Sequence, residues 1–314
     1  PEEKQKALDE SVWVLAQETE KQLCSWYIDE ALRESAELLG LSADEVIQGG
    51  FEIHTAYDAR LQAIADEVYA DSNFFPAAAS DGTAIQSAMA VVDTESGAVL
   101  AMVGGRDYTV RRGLNRATQM RRQPGSALKP LAVYGPALEL GYTTASVLLD
   151  EKTSFGGYTP RNAGDRYYGL VTMRTAVRNS LNTTAVRLLE EIGLDASVRY
   201  LNKMGIPTQN SDRNLSLALG SMTYGVTPVE LAAAYVPYAN GGVYHQPYCV
   251  SRIESADGSI VYERKESGKQ VIISLDKQDS YSKRTAEILE KQCVLHLAPN
   301  GRELFGRAWS RQET

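Results

Sequence analysis

The stretch from Ser126 to Gly141 most constrains what this chain can fold into. It reads as a helix that is apolar on most sides, through Leu131, Val133, Tyr134 and Leu138. A helix without a polar face has to be buried around nearly its whole circumference, so the rest of the fold must wrap around it. Pro124-Gly125 supplies the turn that delivers the chain into this helix, whose first turn is then expected to lie against a sheet. That first turn carries Ser126 and, three residues on, Lys129. Helix neighbours three apart share a face, so the Lys129 amine can reach the Ser126 hydroxyl, and a helix N-terminus favours negative charge developing there. A serine can be activated in this way without a histidine, which points to serine acyl transfer. The same spacing recurs at Ser280 and Lys283 in a polar stretch with no such entry, so spacing alone carries little.

At 314 residues the chain can bury a substantial core, as one large domain or two of moderate size. Its net charge of −8 argues against nucleic acid as a partner. Arg106, Arg111, Arg112, Arg116, Arg121 and Arg122 nevertheless form a local basic cluster, read as a solvated loop that helps seat the helix. Three cysteines (Cys24, Cys249, Cys293) and three histidines (His54, His245, His296) are scattered without motif spacing. No zinc site, disulfide framework or Ser-His-Asp triad is indicated, and neither a metal nor a cofactor is expected. No run approaches the roughly eighteen apolar residues of a membrane helix. The chain opens at Pro1 rather than methionine and is expected to be a processed product or an excised fragment.

Residues 1 to about 50 read as helical, Phe51 to Tyr57 alternates as a strand, and Asp58 caps a helix through Leu61, Ile64 and Val68. The Ala-, Ser-, Asp- and Gly-rich loop from Pro76 to Gly82 marks a candidate boundary, giving a connector over 1–80 and a main domain over 81–314. Ala88 to Gly105 reads as two apolar strands around Thr94-Glu95-Ser96-Gly97, covered on both faces. Helical stretches follow at 172–193, 194–206, 228–240 and 282–295, and a hairpin from Gly241 to Tyr262 turns at Asp257-Gly258.

The stretch from Val171 to Arg187 contains Ser180-Leu181-Asn182. Acyl transfer by a serine and a lysine needs a second polar group to pass a proton to the leaving amine, and an amide to grip the substrate backbone. Together the motifs resemble the transpeptidase domain of class A (bifunctional) penicillin-binding proteins. The resemblance rests on Gly104-Gly105-Arg106-Asp107-Tyr108, Asn115-Arg116-Ala117, Arg122 to Pro130, and Thr172-Met173-Arg174 leading to Ser180-Leu181-Asn182-Thr183. It continues in Leu217-Ala218-Leu219-Gly220, Tyr224 to Pro228, and Ala239-Asn240-Gly241-Gly242. It implies an α+β fold of the serine β-lactamase and penicillin-binding transpeptidase type, an antiparallel sheet flanked by helices. By the same resemblance Ser126 would be the acylated nucleophile, Lys129 its base, Ser180 the proton relay and Asn182 the substrate-binding amide, with the Ser126 N–H as one oxyanion donor. Peptidoglycan stem peptides ending in D-Ala-D-Ala and β-lactam antibiotics would be its ligands, at the outer face of the bacterial cytoplasmic membrane. Residues 1–80 resemble the connector that follows a glycosyltransferase domain in a membrane-anchored parent protein.

The family's third motif, Lys-Thr-Gly or Lys-Ser-Gly, does not occur in the 314 residues; Lys152-Thr153 is followed by Ser154 and lies too early. That strand would supply a second oxyanion N–H, whose loss costs about two to three decades in rate. The C-terminal strands are therefore expected to be missing, and the chain to be a truncated or frame-disrupted product that is weakly active or inactive. The alternatives are a D,D-carboxypeptidase, in which water replaces the acceptor amine, and a non-catalytic remnant that binds cell-wall peptide or partner proteins.

Overall fold

Ser25 opens the part of the chain that the structure, a computed structural model, describes: residues 25–265 and 268–272. Its hydroxyl accepts from the Ile28 N–H and caps α1 (Trp26–Leu39). Ser42 and Glu45 close a capping box around the short α2 (Ala43–Gln48). β1 (Glu52–Thr55) follows, and Asp58 caps α3 (Ala59–Ala70) by accepting from Arg60 and Leu61. Strand and helix lie where the sequence pattern predicts them, and one polar residue of α3 is among its buried positions. Of its apolar residues Leu61 and Val68 are half-buried and Ile64 is exposed, while the fully buried positions are Gln62, Ala65 and Tyr69. Gln62 is buried because it serves a backbone edge. Gln62 donates its amide to Met102 O at 3.0 Å and accepts from the Met102 N–H at 2.9 Å, and buried backbone groups need such partners.

β2 (Met89–Val92) and β3 (Val99–Val103) form the expected antiparallel hairpin, with Met89 opposite Val103. Burial is close to complete for β3, whereas β2 is only half covered. The stretch predicted as one helix from 126 to 141 is buried as expected but built in three pieces. These are a 3-10 turn (Gly125–Leu128), a π-helical turn (Pro130–Tyr134) and α4 (Gly135–Glu139). Pro130 and Pro136 have no N–H to give to an α ladder, so the bonding shifts. The Lys129 N–H donates three residues back to Ser126 O, and the Gly135 N–H five back to Pro130 O.

β4 (Val147–Asp150) pairs antiparallel with β5 (Gly169–Thr172). The helix predicted over 172–193 is interrupted: α5 (Met173–Arg178) stops and α6 (Asn182–Ile192) begins after three residues. Then come α7 (Leu194–Lys203), a 3-10 turn (Leu215–Leu219) and α8 (Pro228–Ala239), the last with a Thr227–Glu230 capping box. The chain continues as β6 (Val243–Tyr244), β7 (Val250–Glu254), β8 (Ile260–Glu263) and β9 (Lys269–Gln270). β7 and β8 make the predicted hairpin at Asp257-Gly258, but Val243 and Tyr244 pair instead with Gln270 and Lys269.

Among the described residues the strands form a three-stranded sheet, ordered β1-β7-β8, and three two-stranded ladders. Every ladder is antiparallel, but they do not make the one sheet that the sequence reading expects. Two apolar clusters hold these layers. One joins Tyr27, Ala65 and Tyr69 to Val99, Met102 and Ile253; the other wraps Leu131 and Val133 with Leu188, Leu189, Leu201 and Leu217. The helical runs expected near Ser11–Leu15 and over 282–295, and the question of C-terminal strands, lie outside the described residues.

Candidate active site

The turn that carries Ser126 is stapled to the segment from Gly220 to Val226. Arg122 and Val226 exchange both backbone hydrogen bonds at 2.9 Å. Gln123 mimics a further strand residue: its Oε1 accepts from the Met222 N–H at 2.5 Å and its Nε2 donates to Met222 O. Gly220, with φ of 79°, presses on Gly125, and a Cβ placed there would sit 2.1 Å from Gly125 O. Only glycine meets both demands, which accounts for the last residue of Leu217-Ala218-Leu219-Gly220. Asp212 fixes the far end of this segment by accepting from the Thr223 N–H and hydroxyl, each at 2.6 Å, and from the Gln209 N–H at 2.7 Å. Burial pushes the Asp212 carboxyl up, but the bonds from Gln209 and Thr223 outweigh it and hold the group below its ordinary range. On the other side, the Tyr235 hydroxyl donates to Ala127 O at 2.5 Å and that of Tyr238 to Pro130 O at 3.0 Å. These tyrosines of α8 satisfy carbonyls next to the irregular turns.

Ser126 is half-buried in this seat, and Lys129, one turn on, is only 2% exposed. An ammonium is costly to bury without close acceptors. Lys129 Nζ donates to Ser180 O at 2.6 Å, Ser180 Oγ at 3.0 Å and Asn182 Oδ1 at 2.6 Å. Asn182 Nδ2 donates to Arg161 O at 2.7 Å, so both ends of that amide are engaged. Of the four residues singled out from sequence, Lys129, Ser180 and Asn182 thus meet at one point, and Ser126 lies one turn from it.

The break between α5 and α6 makes this meeting possible. The Ser180 N–H donates to Val177 O and the Leu181 N–H to Ala176 O, both at 3.0 Å, closing α5 in a Schellman pattern. Ser180 occupies its left-handed position with φ of 50°, a place usually given to glycine. A serine there turns the chain, exposes its hydroxyl and aims its carbonyl at Lys129. A continuous helix would have carried Ser180 and Asn182 on different faces.

The basic cluster is largely tied down. The Arg106 guanidinium stacks on Phe75 at 4.3 Å, Arg112 pairs with Asp44 at 2.7 Å, and Arg121 pairs with Glu230 at the N-terminus of α8. Glu52, His54 and Glu254 bring potential metal-ligand atoms within 4.8 Å of one another. The Arg252 guanidinium already lies 2.8 Å from Glu254 and 3.3 Å from His54 Nε2. Sequence reasoning included Gln123 in the Arg122 to Pro130 motif without giving it a role, and missed Asp212 and the two tyrosines, whose spacing carries no signal of its own. Among the described residues no helix is long and apolar enough to cross a membrane.

The family model "Penicillin binding protein transpeptidase domain" matches residues 87–292. Penicillin-binding protein 1F of Bacillus subtilis is 40% identical over 257 residues, covering 82% of this chain and 35% of that protein. Penicillin-binding protein 2a of Streptococcus pneumoniae is 35% identical over 252 residues, 78% of this chain and 34% of that protein. The chain therefore spans about a third of the length of these curated relatives. Among solved structures, the penicillin-binding protein PonA1 of Mycobacterium tuberculosis superposes with a TM-score of 0.68 at 24% identity. That alignment covers 78% of this chain and 65% of PonA1, and it shows a shared fold. With two thirds of its length matched by the family model, and the Ser126, Lys129, Ser180 and Asn182 motifs inside the match, the chain belongs to the penicillin-binding protein transpeptidase family.

Proposed function

We propose that this chain carries the acyl-transfer centre of a peptidoglycan D,D-transpeptidase. The observation that carries the reading is the buried Lys129 side chain, whose Nζ joins the Ser126-x-x-Lys129 turn to Ser180 and Asn182 through three hydrogen bonds. Ser126 Oγ attacks the carbonyl between the two D-alanines of a stem peptide and gives its proton to the Lys129 amine, so the attack requires the neutral form of that amine. The Ser126 N–H helps hold the oxyanion. The C–N bond then breaks, and Ser180 Oγ relays the proton from Lys129 to the departing D-Ala amine. An amine of a neighbouring stem next attacks the ester, a new C–N bond forms as the ester C–O bond to Ser126 breaks, and a proton lost by the attacking amine passes to Ser126 Oγ. Water in place of that amine gives a carboxypeptidase by the same steps. Asn182 grips the peptide by exchanging Arg161 O for a substrate carbonyl at its Nδ2. A penicillin acylates the same serine as its lactam C–N bond opens; because no group departs, the adduct persists.

The structure of PonA1 with penicillin V is consistent with β-lactam binding by this fold. The parent protein acts outside the cytoplasmic membrane, and its membrane anchor and glycosyltransferase domain are part of this proposal. Intact mass after incubation with benzylpenicillin tests it. One added penicillin on the parent chain and none on Ser126→Ala is the expected result. A folded parent chain that gains no mass would overturn the reading in favour of a non-catalytic peptide-binding domain.

A further inference from the structure

Helix α6 begins at Asn182 with Leu181 before it, and Leu181 has no side chain able to accept from the first N–H groups. The acceptor comes from twenty residues upstream. Asn162 Oδ1 accepts from the Asn182 N–H at 2.7 Å and from the Thr183 N–H at 3.2 Å. Asn162 Nδ2 donates to Asp150 Oδ1 at 2.7 Å and to Arg166 O at 2.9 Å, so the amide has one orientation; flipping it would set donors against donors. Asp150, at the end of β4 and 0% exposed, also accepts from the Tyr168 N–H at 2.9 Å and from the Thr183 hydroxyl. A carboxylate this deeply buried is retained only with such donors, and it lies near the N-terminal end of α6, where negative charge is favoured.

We propose that Asp150 and Asn162 are positioning residues that cap α6 from outside and thereby fix Ser180 and Asn182 against Lys129. The proposal rests on the acyl-transfer reading above. The link is short and has no slack: Asn162 holds the Asn182 backbone at 2.7 Å, and the Asn182 side chain holds Lys129 at 2.6 Å. Neither Asp150 nor Asn162 touches the substrate; both act through the residues that do. Apolar packing could bury this loop equally well, but it could not set the direction of the Asn182 N–H.

The test combines time-resolved labelling by saturating fluorescent penicillin with amide hydrogen exchange over residues 176–186, in the parent, Ser126→Ala, Asn162→Ala, Thr183→Val and Thr183→Ser. Asn162→Ala and Thr183→Val are expected to slow acylation by about tenfold to a hundredfold, because a misplacement near 1 Å costs about two decades. Thr183→Ser, which keeps the hydroxyl for Asp150, stays within about twofold of the parent on the same argument. Exchange at Asn182 and Thr183 rises at least about tenfold in Asn162→Ala as the local opening energy falls, and is unchanged in Ser126→Ala. A merely structural role would lower the labelled fraction and the melting temperature while the labelled molecules kept the parent rate constant; that result overturns the proposal. If the parent itself fails to label, the acyl-transfer reading fails. Hydrogen exchange still decides the positioning role in that case, and unchanged protection in Asn162→Ala refutes it.

Discussion

Replacing Ser180 by glycine and by alanine separates the backbone of this site from its chemistry. Both substitutions remove the hydroxyl that Lys129 reaches at 3.0 Å, so that loss cancels in the comparison. Ser180 is exposed, and the added methyl of alanine gains little packing. What remains is the left-handed φ of 50° between two hydrogen bonds of 3.0 Å. An L-residue in that region costs about 1–2 kcal/mol. Glycine loses about 0.4–1 kcal/mol of this advantage through its more flexible unfolded chain. Ser180→Gly should therefore be more stable than Ser180→Ala by about 1 kcal/mol, or about 2–4 °C in melting temperature for a domain of this size. Urea unfolding and thermal melts followed by circular dichroism measure the difference. Penicillin labelling should be impaired in both, since neither can relay a proton. If Ser180→Ala equals or exceeds Ser180→Gly in stability, the Schellman turn at Ser180 is not strained and does not define the α5–α6 break.

Gly220→Ala should cost about 2–5 kcal/mol, the sum of left-handed strain and of overpacking against Gly125, and should slow labelling of the adjacent Ser126. Gly164→Ala is its control, with φ of 68° but nothing within 4 Å of the new Cβ; an equal cost at both sites would remove the steric argument. Asp212→Asn should destabilise the chain by about 2 kcal/mol at neutral pH, because its carboxylate accepts three hydrogen bonds that an amide cannot all accept. The folded carboxyl titrates below the ordinary aspartate range, so this contribution is full above that range and is lost as the pH falls through it toward the lower folded value. Urea midpoints of parent and variant should converge in acid; a gap that persists or widens there would contradict the assignment.

The helix around Leu131 shows what sequence could and could not decide. Its lack of a polar face required burial, and Leu128, Leu131, Ala132 and Val133 are 0% exposed. The pattern did not reveal that Pro130 and Pro136 divide it into 3-10, π and α turns, because periodicity registers which side is apolar and not which N–H is missing. On α3 no apolar pattern could announce that Gln62 is buried, since the need of Met102 for a hydrogen-bonding partner lies forty residues away. Likewise, 172–193 reads as one helix, and only the fold turns it at Ser180.

Sequence by itself determined the family, the buried helix and the identity of Ser126, Lys129, Ser180 and Asn182 as residues to watch, because these are carried by local order and spacing. Tertiary structure decided where they meet. It placed Lys129 among Ser180 and Asn182, set Gly220 against Gly125, and brought Asp150 and Asn162 behind α6. Those arrangements depend on contacts between segments 20 to 100 residues apart, whose energies come from burial and from satisfying particular backbone groups. No local pattern in the chain records which groups those will be.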